Sequence, residues 1–449
     1  MSDYKDPPYA WVMVFSVFIL SALSFGTLAS ISVFLKPLTL EFGWSRGQTS
    51  LAYTVISFSS AAFGIFWGYI ADRYGTRWFG VVAAFVMSLS LFFLSKQNGI
   101  YAFYGFYFLF GAFGNAMVTS PLFANVGFWF RNNPGLALGI TASGGAIGQG
   151  LIPYITGIII SNEGWREAYL SMSILYLIVA LPVALLIKES PTREAAREME
   201  AQENTDFPLS EREAITWICG AVVFCCICMS VPIVHLVPML TDEEFSLEFA
   251  TSVLMVLMFC GAFGRVLGGK LGDVIGSLPA YMVMSLGQTI SVIWFPHISS
   301  VFGIYLLAAF FGFTYSGVMS SILVCTRMMV TPKFAGRANS LGSFFGWTGM
   351  GLGGFFGGYF FDLYGNYDFS FAFAGIMGVL NLAILIRFLL RINNKQKGSD
   401  NGDNRKNERN IQMTTKMITY IPKSMENNSR HDSKNDLQPS TNISADIEN

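Results

Sequence analysis

Long apolar runs separated by short polar stretches make up most of residues 10–391. A helix that crosses a membrane needs roughly 20 largely apolar residues. Twelve runs of about this length lie near 10–35, 48–71, 78–95, 101–125, 135–160, 167–188, 214–240, 248–271, 279–297, 301–327, 337–361 and 369–391. The pattern predicts an all-α membrane protein with twelve transmembrane helices.

Two polar segments divide this pattern into parts. Residues 189–213 are dense in charge and separate the sixth run from the seventh, which predicts a cytoplasmic linker between two six-helix halves, residues 1–188 and 214–391. From residue 392 to 449 the composition changes to Asn, Ser, Asp and Lys. Such a segment cannot bury enough apolar surface to order itself, so we expect a disordered cytoplasmic tail over 392–449.

Composition agrees with a membrane protein and narrows the possible partners. The chain is 53% hydrophobic and 13% charged, whereas soluble domains average about 25% charged residues. Its net charge of −1 gives no basis for binding nucleic acid. Four cysteines, Cys219, Cys225, Cys226 and Cys228, lie in an apolar run without further ligands at metal spacing, which favours buried packing. The spans offer no nucleophile–base pair, so we expect neither an enzyme nor a cofactor or metal.

The distribution of basic residues predicts the orientation. With the N-terminus in the cytoplasm, one side holds Arg73, Arg77, Arg131, Lys188, Arg193, Arg197, Arg212, Lys270, Arg327, Lys333 and Arg337, and the other holds only Lys36, Arg46, Lys96 and Arg166. Lys and Arg accumulate in cytoplasmic loops. Both termini are therefore predicted to be cytoplasmic, in a multi-pass protein of the plasma membrane.

The two halves repeat each other at an offset of 201 residues. Gly68, Asp72 and Gly75 correspond to Gly269, Asp273 and Gly276, and Gly135, Ala137, Gly145, Gly148, Gly150 and Gly157 correspond to Gly336, Ala338, Gly346, Gly349, Gly351 and Gly358. Six helices repeated without inversion predict halves related by an axis along the membrane normal. That architecture places a solute site near mid-membrane between the halves.

One loop carries a family resemblance. The stretch from Gly64 to Arg77, GIFWGYIADRYGTR, resembles the signature between helices two and three of the major facilitator superfamily, and GKLGDVIG from Gly269 resembles its second copy. The resemblance implies the major facilitator fold and a cytoplasmic gate formed by Gly64, Gly68, Asp72, Arg73, Gly75, Arg77 and Asp273. Glycines at these spacings allow close helix approach, and the charges can pair in one conformational state. The alternative is a solvated charged loop.

Three further stretches resemble the monocarboxylate transporter family and its oxalate/formate-antiporter-like bacterial relatives. They are DPPYAW at Asp6, WFRNNPGLALG at Trp129, and the Arg-x-x-x-Gly from Arg265 to Gly269. The resemblance implies that Arg265 binds the substrate carboxylate. Two departures stand out: Gly261 occupies the position where relatives often have a carboxylate or amide, and Ala29 aligns with a lysine of some members.

The position of Arg265 supports this reading on physical grounds. Lys270 is the only other charge between Phe249 and Leu271, and Arg265 lies eight residues before Asp273, about 12 Å along a helix axis. Burying a cation near the midplane costs at least about 2.5 kcal/mol. A carboxylate solute bound to the guanidinium fork would offset that cost. A structural or snorkelling arginine is the alternative.

Four other polar side chains are candidates for substrate binding. They are Asn115 and Thr119 on helix four, Gln149 on helix five and Tyr315 on helix ten. Each is equally compatible with a hydrogen bond between helices. His235, near the outer end of helix seven, is interpreted as a satisfied interfacial histidine.

The sequence therefore predicts a secondary active or facilitative transporter of a small organic anion. The expected partners are a monocarboxylate and a co-transported proton or an exchanged anion. No nucleotide-binding motif is present to drive transport. Two alternatives remain open: a transporter of a neutral or amphipathic solute such as a vitamin or drug, and a transporter-fold membrane sensor that signals through its tail.

Overall fold

The computed structural model describes residues 7–130, 134–191, 207, 209–330 and 332–419. Within these residues, twelve helical segments follow the predicted spans in order and confirm the fold class. The first half contains α1 Tyr9–Phe42, α2 Arg46–Tyr74, α3 Phe79–Lys96, α4 from Ile100–Leu109 to Phe123–Trp129, α5 Pro134–Glu163 and α6 from Trp165–Leu175 to Leu181–Leu185. The second contains α7 Glu211–Asp242, α8 Leu247–Ile275, α9 Ser277–Val292, α10 Val301–Met328, α11 Pro332–Tyr364 and α12 Asp368–Thr419.

Two of the segments are not regular α-helices throughout. Segment α4 contains π-helical turns at Phe110–Asn115 and Val118–Leu122, and α6 contains one at Tyr176–Ala180. Among the described residues, ten helices are long and apolar enough to cross a membrane by length and composition alone. The other two segments are the interrupted α4 and the glycine-rich α11.

The internal repeat is visible in the contacts between the halves. Gly150 on α5 lies against α8, where an added Cβ would be 3.1 Å from the Cβ of Met258. At the corresponding positions, an added Cβ on Gly351 of α11 would be 3.5 Å from the Cβ of Ser57 on α2. The two contacts are therefore equivalent, since Gly150 and Gly351 differ by 201 residues, as do Ser57 and Met258. The same holds one step further along, for Gly157 against Thr251 and Gly358 against Ser50.

The halves meet at one end of the bundle, which we call the opposite side, where α1 ends and α2 begins. Arg46, only 7% exposed, pairs through Nη2 with Asp242 on α7 at 2.7 Å and donates from Nη1 to the Tyr367 hydroxyl at 2.6 Å. Asp362 on α11 accepts hydrogen bonds from the backbone N–H groups of Arg46 and Gly47, at 2.8 and 2.7 Å. A carboxylate at these exposed N–H groups stabilises the start of α2.

A second cation joins this contact from the end of α1. The ammonium of Lys36 lies 3.2 Å from Asp242 and donates to the carbonyl of Thr241 at 2.7 Å. We call Lys36, Arg46, Asp242, Asp362 and Tyr367 the latch cluster. Because it ties α1 and α2 to α7, α11 and the start of α12, it holds the two halves together on the opposite side.

The halves separate toward the terminal side, where α1 begins and α2 ends. Gly64 and Gly68 continue the face of α2 that carries Ser50 and Ser57, yet an added Cβ at either glycine would meet no atom within 4 Å. Gly269, the repeat counterpart of Gly68, is equally open. Gly64 and Gly68 therefore make no close helix contact in this conformation, and their part in a gate stays a prediction.

The end of the chain is described only in part. The described residues up to Ile392 belong to one compact unit, and residues 393–419 belong to a second. Helix α12 is described to Thr419, and the disordered tail stays a prediction. A helix satisfies its backbone hydrogen bonds within the segment, so it can continue without an apolar face. Residues 420–449, and residues 192–206 of the proposed linker, lie outside the described part of the chain.

Candidate functional site

Arg265 reaches across the boundary between the halves. Its Nη1 donates a 2.7 Å hydrogen bond to the backbone carbonyl of Ala142 on α5, in the first half. Its Nε is buried without a hydrogen-bond partner. The ion pairs found among the described residues do not include Arg265. The guanidinium therefore keeps donor capacity in the interface without a compensating negative charge there.

The contact between Arg265 and Ala142 lies where the interface between α5 and α8 approaches the open side. Gly157 and Gly150 contact α8 nearer to the opposite side. Ala142 lies about two turns of α5 further toward the terminal side. The repeat counterpart of Arg265 is Gly64, which faces open space. The cation consequently belongs to one half only and lies next to the open part of the molecule.

Gln149 shares a face of α5 with Ala142, because seven residues return to nearly the same direction on an α-helix. Its Nε2 donates to the carbonyl of Gly145 at 3.2 Å, and the residue is 5% exposed. The hydroxyl of Ser21, from α1, is buried without a partner and would lie 3.1 Å from a Cβ on Gly145. Ser21 and Arg265 thus both contact the stretch of α5 from Ala142 to Gln149.

Two aromatic rings from different halves meet beside this stretch. Phe25 on α1 and Trp347 on α11 stack with ring centroids 5.8 Å apart and planes 17° from parallel. A Cβ on Gly145 would lie 3.0 Å from Cδ2 of Phe25. Sequence reasoning missed Ser21, Phe25 and Trp347; the available signal was a tryptophan within the glycine-rich run of α11.

Asn115 and Thr119 occupy a different place. Asn115 is fully buried and bridges two helices, since its Oδ1 accepts from Ser24 on α1 at 2.7 Å and its Nδ2 donates to Ser60 on α2 at 3.0 Å. Thr119 donates to the carbonyl of Asn115 at 2.9 Å. Asn115 therefore has the helix–helix hydrogen bonds that the sequence left open as its alternative role.

Tyr315 lies behind the interface between the halves. It is 2% exposed, and its hydroxyl donates to the sulfur of Met258 at 3.1 Å. Met258 is the residue that contacts Gly150. Tyr315 therefore supports the contact surface of α8 in this conformation and does not join the group around Ala142.

The residues of the proposed terminal-side gate are only partly described. The exposed Arg73 and Arg77 lie near the rings of Tyr74 and Trp78, at 5.5 and 5.4 Å from the ring centroids. The side chains of Asp72 and Asp273 lie outside the described part, so the ion-pair gate stays a prediction. Gly75 ends α2 with a φ of +83°, a conformation that favours glycine.

The loop after Gly75 has an anchor that sequence reasoning missed. The backbone N–H and the hydroxyl of Thr76 both donate to Oε2 of Glu189, at 2.6 and 3.0 Å. Glu189 follows α6, where the linker between the halves begins. The proposed gate loop is thereby tied to the first residues of that linker.

His235 is more enclosed than an interfacial histidine. It is fully buried between α7 and α11, its Nε2 forms a 2.7 Å hydrogen bond with the carbonyl of Gly354, and its Nδ1 has no partner. A Cβ on Gly357 would lie 2.4 Å from its ring. The expectation of a fully satisfied histidine is met at one ring nitrogen only.

A cavity of about 440 Å³ opens at the opposite side between α1, α5, α7 and α8. Its walls include Lys36, Pro37, Pro238 and Leu247. Leu247 is the repeat counterpart of Arg46, so this cavity occupies the position at which a second latch cluster would lie. Glu41, the counterpart of Asp242, instead pairs with Arg166 within its own half.

The chain resembles known membrane transporters. The family model described as Major Facilitator Superfamily matches residues 17–326 and 216–418. Monocarboxylate transporter 13 of Rattus norvegicus is 27% identical over 411 residues, which are 86% of this chain and 91% of that protein. The riboflavin transporter RibJ of Trypanosoma brucei brucei is 32% identical over 185 residues, 40% of this chain and 34% of that protein.

Solved structures support the same fold. The xylose transporter XylE from E. coli, in a partially occluded inward open conformation, superposes with a TM-score of 0.68 at 16% identity, covering 85% of this chain and 98% of that one. The match to the riboflavin transporter spans about a third of that relative's length, whereas the match to the monocarboxylate transporter spans nearly all of it. The chain belongs to the Major Facilitator Superfamily and is a multi-pass membrane transporter, not an enzyme.

Proposed function

We propose that this transporter moves a small organic anion, a monocarboxylate, by alternating access, and that Arg265 binds its carboxylate. The observation that carries the proposal is the hydrogen bonding of Arg265: its Nη1 contacts a neutral carbonyl, and its Nε is buried without a partner. A carboxylate can accept two parallel hydrogen bonds from a guanidinium. Binding would therefore satisfy donors that the protein itself leaves unused.

The same contact offers a route from binding to conformational change. Arg265 belongs to the second half and Ala142 to the first, so their hydrogen bond is made across the interface. An anion that competes for the guanidinium changes the energy of this contact. A ligand shifts a conformational equilibrium by its differential affinity for the two states. Gln149 is proposed as a further substrate contact because it shares the face of α5 that carries Ala142.

The remaining assignments belong to the same proposal. The gate of Gly64, Gly68, Asp72, Arg73, Gly75, Arg77 and Asp273 closes the terminal side in the alternate state, and the terminal side is cytoplasmic in the plasma membrane. The driving ion is a co-transported proton or an exchanged anion. Similarity over 86% of this chain and 91% of a protein named monocarboxylate transporter 13 supports an anionic substrate.

A second candidate is a planar neutral solute, as the name of the riboflavin transporter suggests. The observation that favours it is the stacked pair of Phe25 and Trp347, since Phe25 lies against Gly145, three residues along α5 from the Arg265 contact at Ala142. The charge of the solute distinguishes the two candidates, because a neutral solute gains little from a guanidinium.

Counter-flow in proteoliposomes tests the assignment. Arg265→Lys keeps the charge but loses the planar fork, so we expect exchange of carboxylates to fall at least about tenfold. Arg265→Ala should abolish it. Lys270→Ala is the matched control, since it removes the other, exposed cation of α8 and should leave exchange unchanged. Carboxylate exchange that survives Arg265→Ala contradicts the proposal.

A further inference from the structure

We propose that Phe25 and Trp347 form a platform for a planar ring of the substrate, so that the transported anion is an aryl carboxylate with a short spacer. The inference rests on the proposed function, since it takes Arg265 as the carboxylate site. It names the class of acid that the site prefers over short aliphatic acids such as acetate or lactate.

The platform has the geometry of an aromatic recognition surface. The two rings are offset and nearly parallel, with centroids 5.8 Å apart, which is a favourable arrangement for aromatic pairs. Both side chains are half-buried, so each retains surface that a third ring can cover. Trp347 belongs to the second half but packs against the hydrophobic core of the first.

Helix α5 sets the spacing along its axis between the position that Arg265 contacts and the position that Phe25 contacts. Arg265 contacts the carbonyl of Ala142, and Phe25 lies against Gly145. Three residues separate these positions, about 4.5 Å along the helix axis. A carboxylate on the guanidinium would thus place a ring carried on a one- to three-atom spacer beside the aromatic pair. An acid of two or three carbons would leave the platform uncovered.

Gly145 makes this arrangement possible. A Cβ at this position would lie 3.0 Å from Cδ2 of Phe25 and 3.1 Å from the hydroxyl of Ser21. A side chain here would push both groups away from α5. The fully buried hydroxyl of Ser21 has no hydrogen-bond partner, which is costly unless a ligand supplies one.

The stacking of Phe25 on Trp347 also depends on the conformational state of the transporter. Phe25 and Trp347 come from different halves, so their stack depends on how closely the halves approach at this level. A substrate ring that covers both residues binds the state in which they are stacked more tightly than a state in which they are apart. Ring binding therefore favours that state by its differential affinity.

Competition in counter-flow tests the platform. Phenylacetate, 3-phenylpropionate and indole-3-acetate should compete at concentrations at least about tenfold lower than acetate, propionate or lactate. Trp347→Ala should remove this preference, whereas Trp347→Phe should keep most of it. Trp294→Ala, at an exposed tryptophan after α9, is the matched control. A Trp347→Ala protein that keeps the full aryl preference overturns the inference.

Two measurements separate the platform from the carboxylate site. If aliphatic acids compete as well as aryl acids while exchange still requires Arg265, the platform is wrong and the proposed function stands. If phenylacetamide competes as well as phenylacetate and Arg265→Ala leaves the exchange rate unchanged, the proposed function fails. If Trp347→Ala does not fold, Phe25→Leu provides the same test once thermal unfolding shows that this variant is folded. Loss of the preference for aryl acids in Phe25→Leu supports the platform, and retention of that preference overturns the inference.

Discussion

At the scale of single residues, some buried polar groups have hydrogen-bond partners within the fold and others have none. Asn115 has a partner for its amide oxygen and one for its amide nitrogen. Arg265 and Ser21 each keep a buried polar atom without a partner. Because an unpaired buried polar atom costs roughly 1–3 kcal/mol, Arg265 at the interface between the halves is a better candidate for a ligand contact than Asn115.

Replacing Asn115 tests this division. Asn115→Leu leaves the hydroxyl of Ser24 without its acceptor, whereas Ser60 keeps its bond to the carbonyl of Ile56, so we expect a loss of about 1–3 kcal/mol in the free energy of unfolding. The apparent KM for exchange by the folded fraction should stay the same. Thermal unfolding in detergent and counter-flow provide the two measurements. Thr119→Val, which removes only a bond to a helix carbonyl, is the control. A raised KM with unchanged stability would instead make Asn115 a ligand contact.

At the scale of helices, most of the fold could be predicted from the lengths of the apolar runs and the spacing of the repeat. The apolar runs located all twelve segments because each must span the same hydrocarbon thickness. Glycines matched by the offset of 201 residues make equivalent contacts in the structure, such as Gly150 with Met258 and Gly351 with Ser57. Within α4, however, the π-helical turn Phe110–Asn115 changes the direction of the following side chains. The face of Asn115 therefore could not be obtained from a 3.6-residue period.

Residue contacts between the two halves could not be predicted from the sequence for another reason. Arg46 and Asp242 are 196 residues apart, and Phe25 and Trp347 belong to different halves. Their pairing depends on how the halves are tilted, which is a property of the conformational state. The absence of a helix contact at Gly64 also depends on the conformational state. One sequence must serve every state of the transport cycle, and the structure shows one of them.

Two glycines distinguish close packing within a half from packing that belongs to the alternate state. A Cβ on Gly148 would lie 1.9 Å from the backbone oxygen of Ala22, whereas one on Gly64 would meet open space. Gly148→Ala should therefore destabilise the protein by about 1–3 kcal/mol through overpacking. Gly64→Ala should leave thermal stability unchanged. Thermal unfolding of the two variants in the same detergent checks both expectations.

The alternate state supplies a second readout for Gly64. If Gly64 packs closely when the terminal side closes, Gly64→Val should slow exchange by holding the protein in the present conformation, with no loss of thermal stability. Gly105→Val on α4, also in open space, is the matched control and should exchange normally. Normal exchange by Gly64→Val would remove this glycine from the proposed gate.

At the scale of the whole molecule, a nearly symmetric backbone carries asymmetric chemistry. The latch cluster fills one side of the contact between α1 and α7, and a cavity of about 440 Å³ lies on the other. Asp242 bonds to Arg46 in the other half, while its counterpart Glu41 pairs with Arg166 in its own half. The repeat accounts for the similar helix arrangement of the two halves. The pair of Arg46 with Asp242 must break when the opposite side opens, whereas the pair of Glu41 with Arg166 can stay intact.

This asymmetry predicts which carboxylate controls opening. Asp242→Asn replaces charged hydrogen bonds that join the halves, each worth about 1.5–3 kcal/mol, so the population open to the opposite side should rise at least about tenfold. Glu41→Gln breaks a similar pair within one half and should not change that population. The substitution Ser57→Cys at a buried position, in a background with Cys260→Ser, reports opening through the rate at which the introduced thiol reacts with a membrane-impermeant reagent.

The latch cluster then has a measurable signature. Labelling of the introduced thiol from the opposite side should accelerate in Asp242→Asn and in Arg46→Met, and should match the parent in Glu41→Gln. The double variant Arg46→Met/Asp242→Asn should accelerate labelling by less than the two single effects combined, because the two residues share one ion pair. Equal labelling of Asp242→Asn and Glu41→Gln would show that opening does not depend on the pair between the halves. The closed end would then be held by helix packing at Gly351 and Gly358 instead.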